Sequence, residues 1–146
     1  MDIHSTVNEV LVNLFHQIWK VEEAALITDE YRDITVNDMH IIEAVGLGQG
    51  NNMSTIARKL NITVGSLTTS MNNLVLKEYV TRERSEEDRR VVNIRLTQKG
   101  EQAYRHHEAF HEQMAAAALR SLSQEEIPML ADTLQNLLDF FYQYKE

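Results

Sequence analysis

Apolar side chains recur at helical spacing from the start of the chain. Val7, Val10, Leu11, Leu14, Ile18, Val21 and Ala25 form a stripe over residues 5–27, and Phe15, Trp19 and Leu26 widen it. So broad a stripe predicts a helix buried against more than one neighbour. After a loop at 28–34, Thr35-x-x-Asp38 has the form of a loose capping box, with Ile34 and Met39 placed as its hydrophobic staple, and predicts a helix to about Leu47. Gly46, Gly48 and Gly50 end it. Ser54 is expected to cap a short helix bearing Ile56, Ala57 and Leu60, and Asn61-Ile62-Thr63 reads as a tight turn. The next helix runs from 64 to about 77, with Leu67, Met71 and Leu74 on its inner face.

The period then changes from helical to alternating. Val80, Arg82 and Arg84 share one side of a strand, and Val92, Ile94 and Leu96 share one side of a second, with a polar hairpin tip at 85–90. Thr97 caps a long helix that places Ala103, His107, Phe110, Met114 and Ala117 on one face. Ser123-x-x-Glu126, stapled by Leu122 and Ile127, opens a last helix that repeats Ile127, Leu130, Leu134, Leu137 and Phe141, close to a coiled-coil seam. The fold class predicted is mostly α, with α+β character: a winged helix-turn-helix whose terminal helices form a dimerisation layer. The expected division is 1–28 for the first dimerisation helix, 29–98 for the winged domain and 99–146 for the closing dimerisation helices.

The formal net charge is −8, which by itself argues against nucleic acid as a partner. Its distribution reverses that reading. Residues 54–99 carry nine basic and five acidic side chains, a balance of +4, so the rest of the chain carries −12. A basic segment set into an acidic protein suits a DNA-reading module on an acidic scaffold. The chain has no cysteine, which excludes thiol catalysis, a cysteine zinc site and disulfides, and points to a reducing cytoplasm. The first residues lack the pattern of a secretory signal, and no apolar run approaches the roughly 18 residues of a membrane span, so no membrane role is expected. There is no Gly-rich phosphate loop, no Gly-x-Ser-x-Gly elbow and no specified carboxylate pair. An enzyme is not expected, nor is a cofactor.

The helix at 64–77 turns Gly65, Thr69 and Asn72 outward, flanked by Ser66, Thr68 and Asn73. Solvated helix faces usually carry Lys and Glu, whereas this one spends helix propensity on hydroxyls and amides. Short polar side chains approach a major groove closely, and Asn72 could pair with adenine through its N6/N7 edge. At the hairpin tip, Arg89 and Arg90 are shaped for a minor groove, with Arg84 behind them and Asp88 orienting a guanidinium through a bidentate pair. A winged-helix module that binds protein instead of DNA is the rival reading; the wing arginines and amide-rich helix favour DNA.

The run Leu74-x-x-Lys77-x-Tyr79-Val80-x-Arg82, then Asp88-x-Arg90, then Leu96-Thr97-x-x-Gly100, resembles the MarR family of dimeric winged-helix regulators. The likeness covers essentially the whole chain. Glu78 departs from it, standing where the family often has glycine after the helix. Residues 68–74 and 84–92 are similar to the branch that represses fatty-acid-synthesis genes. That resemblance implies double-stranded DNA with a palindromic operator, a homodimer, and a long-chain acyl carrier protein as co-repressor. An effector pocket for the acyl chain would then draw on Phe15, Trp19, Met39, Ile42, Phe110 and Met114, although helical spacing alone makes such residues core more often than pocket. Lys99 and Arg105 would be the basic contacts for an acidic carrier protein.

His107 and His111 stand at i, i+4, the spacing at which two imidazoles reach one Zn²⁺, with His106 beside them. Some regulators resembling this chain are zinc sensors with histidines at places like His40, His107 and His111. Met39 stands where a carboxylate would complete such a site, with Glu22, Glu23 and Glu108 as possible substitutes. The commoner outcome is a hydrogen-bonded polar cluster joining the DNA-binding and dimer layers. A zinc-responsive repressor is the alternative to the acyl-responsive one.

Overall fold

The computed structural model describes residues 2–26 and 28–144. Ile27 and Lys145, the expected ends of the first and last helices, and the Leu26 side chain, expected on the first stripe, lie outside the described residues. Among the described residues, six helices and three strands follow in the order α1 (Ile3–Leu26), α2 (Val36–Val45), β1 (Asn51–Asn52), α3 (Met53–Leu60), α4 (Val64–Leu76), β2 (Val80–Arg84), β3 (Val92–Leu96), α5 (Gln98–Leu119) and α6 (Glu126–Gln143). A 3-10 turn, Asp29–Tyr31, lies in the loop after α1, and Tyr31 is buried. The chain divides into two compact units, 1–110 and 111–146, so that α5 belongs partly to each.

The first unit is built on local rules that the chain states openly. The Thr35 side chain accepts from the Asp38 amide at 3.1 Å and Asp38 returns the bond to the Thr35 amide at 3.0 Å, the reciprocal box that starts α2. α3 is capped by Asn52, whose Oδ1 accepts from the Thr55 amide at 2.8 Å, and not by Ser54, which lies inside the helix. The cap moves two residues upstream because Asn51 and Asn52 are already extended. They pair with β3 as a third strand that the sequence did not announce, Asn51 opposite Ile94 and Asn52 opposite Asn93. Two asparagines after a glycine read as turn chemistry, and only pairing to a distant strand makes them β. Gly50 permits that approach: at φ 72° it already needs a left-handed backbone, and a Cβ there would sit 1.9 Å from the Ile94 carbonyl oxygen.

The sheet order is β1-β3-β2, all antiparallel, with Val80 opposite Leu96 and Arg84 opposite Val92 in the hairpin. The core lies between α2, α3, α4 and this sheet. Ile41, Ile42, Val45, Ile56, Leu67, Met71, Leu74, Tyr79 and Ile94 are fully enclosed there. α5 begins where Thr97 accepts the Gly100 amide at 3.1 Å, and Gly100 lets the helix press on the Tyr79 carbonyl, which a Cβ would meet at 2.1 Å. The Leu-Thr-x-x-Gly run is therefore a docking device for α5.

Two helices stand apart from this economy. α1 exposes Val7, Val10, Leu14, Phe15, Ile18 and Trp19. In the second unit, Ser123 and Glu126 form the expected reciprocal box, yet the regular helix starts at Glu126, and α6 buries no residue at all. Ile127, Leu130 and Leu137 of its seam are half-buried, whereas Leu134 and Phe141 are exposed, as are Met129, Leu138 and Phe140.

Candidate nucleic-acid interface

α3, the turn at Asn61 and α4 make the helix-turn-helix. Asn61 takes the left-handed conformation at φ 55°, as the residue ending α3. Thr63 caps α4, accepting the Ser66 amide at 3.1 Å and donating its hydroxyl to Ser66 Oγ at 3.0 Å. Leu67, Met71 and Leu74 face the core, and Ser66, Thr69, Asn72 and Asn73 are exposed with Thr68 half-buried beside them. Thr68 donates its hydroxyl to the Val64 carbonyl at 2.8 Å, which leaves its methyl and oxygen lone pairs outward. Asn72 is not alone on that face: its Oδ1 accepts from Arg82 Nη1 at 2.5 Å, a bond from β2 to α4.

The wing is the β2–β3 hairpin, closed by Ser85 donating to the Val91 carbonyl at 2.9 Å. Asp88 grips Arg90 as a fork, Oδ1 accepting from Nε at 3.1 Å and Oδ2 from Nη2 at 3.3 Å, while the Arg90 amide also donates to Oδ1 at 3.1 Å. These bonds hold the Asp88 carboxyl below its ordinary range, the side-chain bond from Arg90 contributing most. Arg84 Nη1 donates to the Arg89 carbonyl at 3.0 Å and so steadies the tip. Arg89 itself is exposed.

Between the wing and the two helices lies a cleft of about 600 Å³. Its lining includes Ser54, Thr55, Thr68, Arg58, Arg82, Arg84 and Arg90, and no carboxylate. Four guanidinium groups and the N-terminal turn of α3 thus meet in one groove, the arrangement that favours a phosphate backbone. Arg58, Arg82, Ser54 and Thr55 were not expected as DNA contacts, although Arg82 stood in the predicted strand and Ser54 was expected as a helix cap. The charge count contained both arginines, and the misplaced cap of α3 hid the fact that Ser54 and Thr55 open that helix.

The other candidate residues are dispersed. Phe15 and Trp19 are 72% and 61% exposed on α1, whereas Met39 and Ile42 are sealed in the core. Phe110 is half-buried, and Met114, in the second unit, is exposed. Helical spacing has put Met39 and Ile42 to work in packing, and Phe110 and Met114 fall in different units. Lys99 has structural partners: it pairs with Asp33 at 3.5 Å, donates to the Lys77 carbonyl at 3.1 Å and sits 4.3 Å over the Tyr79 ring. Tyr79 donates its hydroxyl to Asp33 at 2.7 Å, and burial first, then that bond, pushes its pKa well up. Lys77 also reaches the Asp33 carbonyl. Arg105 is exposed on α5.

The histidines form a polar centre within the first unit. Glu22 of α1, 6% exposed, offers Oε1 to both His40 Nε2 at 2.9 Å and His107 Nε2 at 3.2 Å. His107, 2% exposed, turns its Nδ1 to Glu43 at 3.3 Å, and His106 Nε2 lies 2.9 Å from the Ala25 carbonyl. Of the carboxylates named as substitutes for Met39, Glu22 is the one that meets His40 and His107. His111 lies one turn beyond His107, past the end of the first unit.

A three-stranded sheet whose hairpin forms a wing beside a helix-turn-helix, with arginines in the groove between them, defines a winged-helix transcriptional regulator. Residues 24–106 match the transcriptional regulator SarA/Rot family, and the chain belongs to it. It is not an enzyme, since the family and its relatives are transcriptional regulators. The chain is similar to FabT of Streptococcus pneumoniae, solved in complex with DNA: 36% identical over 97% of this chain and 99% of that one, with a TM-score of 0.86. It is also 28% identical over 105 residues to the HTH-type transcriptional regulator PchR of Bacillus subtilis, covering 70% of this chain and 62% of the length of PchR. The MepR–DNA complex of S. aureus, at 24% identity over 88% of this chain and 96% of that one with a TM-score of 0.66, shares the fold. The MarR-like winged helix expected from the residues is the fold found.

Proposed function

We propose that this protein is a homodimeric repressor that binds a palindromic operator in double-stranded DNA, and that its targets are fatty-acid-synthesis genes. The observation that carries the DNA reading is the carboxylate-free cleft holding Arg58, Arg82, Arg84 and Arg90 beside the exposed face of α4. Ser66, Thr68, Thr69, Asn72 and Asn73 would meet base edges, and Arg89 and Arg90, with Asp88 setting the latter, would enter the flanking minor groove. The uncovered faces of α1 and α6 support dimerisation. The fatty-acid role, with an acyl carrier protein as co-repressor, is supported by likeness to FabT. It takes no support from the six residues first assigned to an acyl pocket.

A second reading of the effector is favoured by one observation: a buried carboxylate oxygen shared by two imidazole nitrogens, Glu22 with His40 and His107. Carboxylate and imidazole are donors that suit Zn²⁺. His40 also borders a cleft of about 490 Å³ with Glu43 and Lys59, a route from solvent. Selecting bound sequences from random duplex DNA, with and without long-chain acyl carrier protein and with Zn²⁺ or a chelator, tests both. Tighter binding with the acylated carrier supports the co-repressor. A Zn²⁺ response abolished by Glu22→Gln supports the metal, and no sequence selection at all refutes the regulator reading.

A further inference from the structure

Asn72 stands on the exposed face of α4, where its carboxamide could serve either as a donor–acceptor pair or as a donor alone. A guanidinium carries only donors, so the bond from Arg82 Nη1 fixes which end of the amide it holds: Oδ1 faces Arg82, and Nδ2 is turned away. Adenine is read bidentately when an asparagine oxygen accepts from N6 and its nitrogen donates to N7. Here one of that oxygen's two lone pairs already takes a short charge-assisted bond at 2.5 Å, and an N6 amine would have to share the oxygen with the guanidinium. What meets an approaching base is then mostly N–H donors, from Nδ2 of Asn72 and from the rest of the Arg82 guanidinium. The base whose major-groove edge is acceptor-only is guanine, with O6 and N7. An adenine at that place would set its N6 amine against donors.

We propose that Arg82 is a specificity-setting residue: by holding the Asn72 oxygen it converts the pair from an adenine reader into a guanine reader. The inference rests on the DNA-binding reading above and adds a role for Arg82 distinct from phosphate attraction. Arg82 and Arg84 both line the cleft, but Arg84 is tied to the wing carbonyl of Arg89 and Arg82 to the recognition helix. Two neighbouring arginines thus take separate tasks, one steadying the wing and the other setting the reading helix.

The test is base preference measured by competition among duplexes, at the position that Asn72→Ala relaxes. Wild type should prefer guanine to adenine there by about tenfold, the scale of one good bidentate contact. Arg82→Met, which keeps the bulk and removes the donors, should level or reverse that preference toward adenine while other positions stay unchanged. The bond joins exposed side chains, and an unchanged melting curve for Arg82→Met establishes that its effect is on reading. Adenine preferred by wild type overturns the proposal. So does an Arg82→Met protein that loses affinity for every sequence alike, because that marks a plain phosphate contact. Wild type that binds no duplex in a salt-dependent way overturns the regulator reading itself, a separate result.

Discussion

The winged core and the helices α1 and α6 both carry apolar side chains at helical spacing and treat them in opposite ways. In the core, Ile56, Leu67, Met71 and Leu74 are wholly enclosed by partners from the same unit. On α1, Phe15 and Trp19 are mostly exposed, and α6 has no buried residue along its length. Exposed leucines singly mean little, but two helices with apolar residues over much of their circumference are the surfaces proposed above for dimerisation. The difference teaches that periodicity announces a helix equally well in both regions and says nothing about who covers it.

The largest effects should come from the enclosed region. Leu74→Ala removes a sealed side chain between α4 and the sheet and should cost about 2–5 kcal/mol in chemical denaturation. Phe15→Ala, at a residue 72% exposed, should leave the stability of an isolated protomer nearly unchanged and weaken its self-association instead. Equal losses from the two changes would break the distinction. Next in size is assembly. Leu134→Glu combined with Phe141→Glu places charges on the exposed face of α6, and sedimentation should then give a protomer mass. Operator affinity should fall by about 100-fold or more as two-site binding is lost. An unchanged dimer would return α6 to the class of ordinary solvated helices.

Glu22 ties the outer α1 to the enclosed unit, and its chemistry gives a pH signature. Burial opposes its ionisation most strongly, but the hydrogen bonds and charges of His40 and His107 together outweigh it and hold the carboxyl below its ordinary value of 4.5. A lowered folded pKa adds stability that is full above 4.5 and is lost as pH falls through the lowered value. Glu22→Gln should therefore cost about 1.5–3 kcal/mol at neutral pH, the range for a hydrogen bond to a charged group. The gap between variant and wild type in urea midpoints should close in acid below pH 4.5. A gap that stays constant down the titration would show that Glu22 acts by shape alone.

Most of the element order was legible in the sequence because it rests on local signals. The Thr35 box, the Thr97 cap and the Asp88–Arg90 fork each lie within a few residues, and each forms as its spacing suggests. What the sequence hid was set by distant partners. β1 exists because Asn51 and Asn52 meet β3 some forty residues on, and the Asn72–Arg82 bond joins a helix to a strand. The candidate DNA face was half legible: α4 and the wing showed in their residue types, whereas Arg58 and Arg82 entered only when folding brought them into one cleft. Met39 and Ile42, expected beside an acyl chain, are sealed in the core, because a core helix and a ligand wall have the same spacing.

The smallest predicted effect concerns the joint between α4 and the wing. Glu78 takes φ 66°, a left-handed conformation that costs a residue with a Cβ about 1–2 kcal/mol. It does so to close a Schellman turn, in which the Tyr79 amide donates to the Leu74 carbonyl at 3.0 Å and the Glu78 amide to Val75 at 3.1 Å. Tyr79 and Leu74 are both enclosed in the core, the apolar positions that commonly accompany such a turn. The Glu78 carbonyl also accepts the Thr97 hydroxyl, a bond that any residue at this position would keep. Glycine relieves the Cβ crowding but gives the unfolded chain more freedom, so Glu78→Gly should gain only about 0.5–1 kcal/mol net. For a chain of this size that is a rise of about 2–4 °C at most in melting temperature. Because the gain lies wholly inside the enclosed region, the dimer mass and its dissociation constant should not move. A rise in stability accompanied by tighter self-association would mean that the winged core and the outer helices are energetically coupled, and the contrast between them would have to be redrawn.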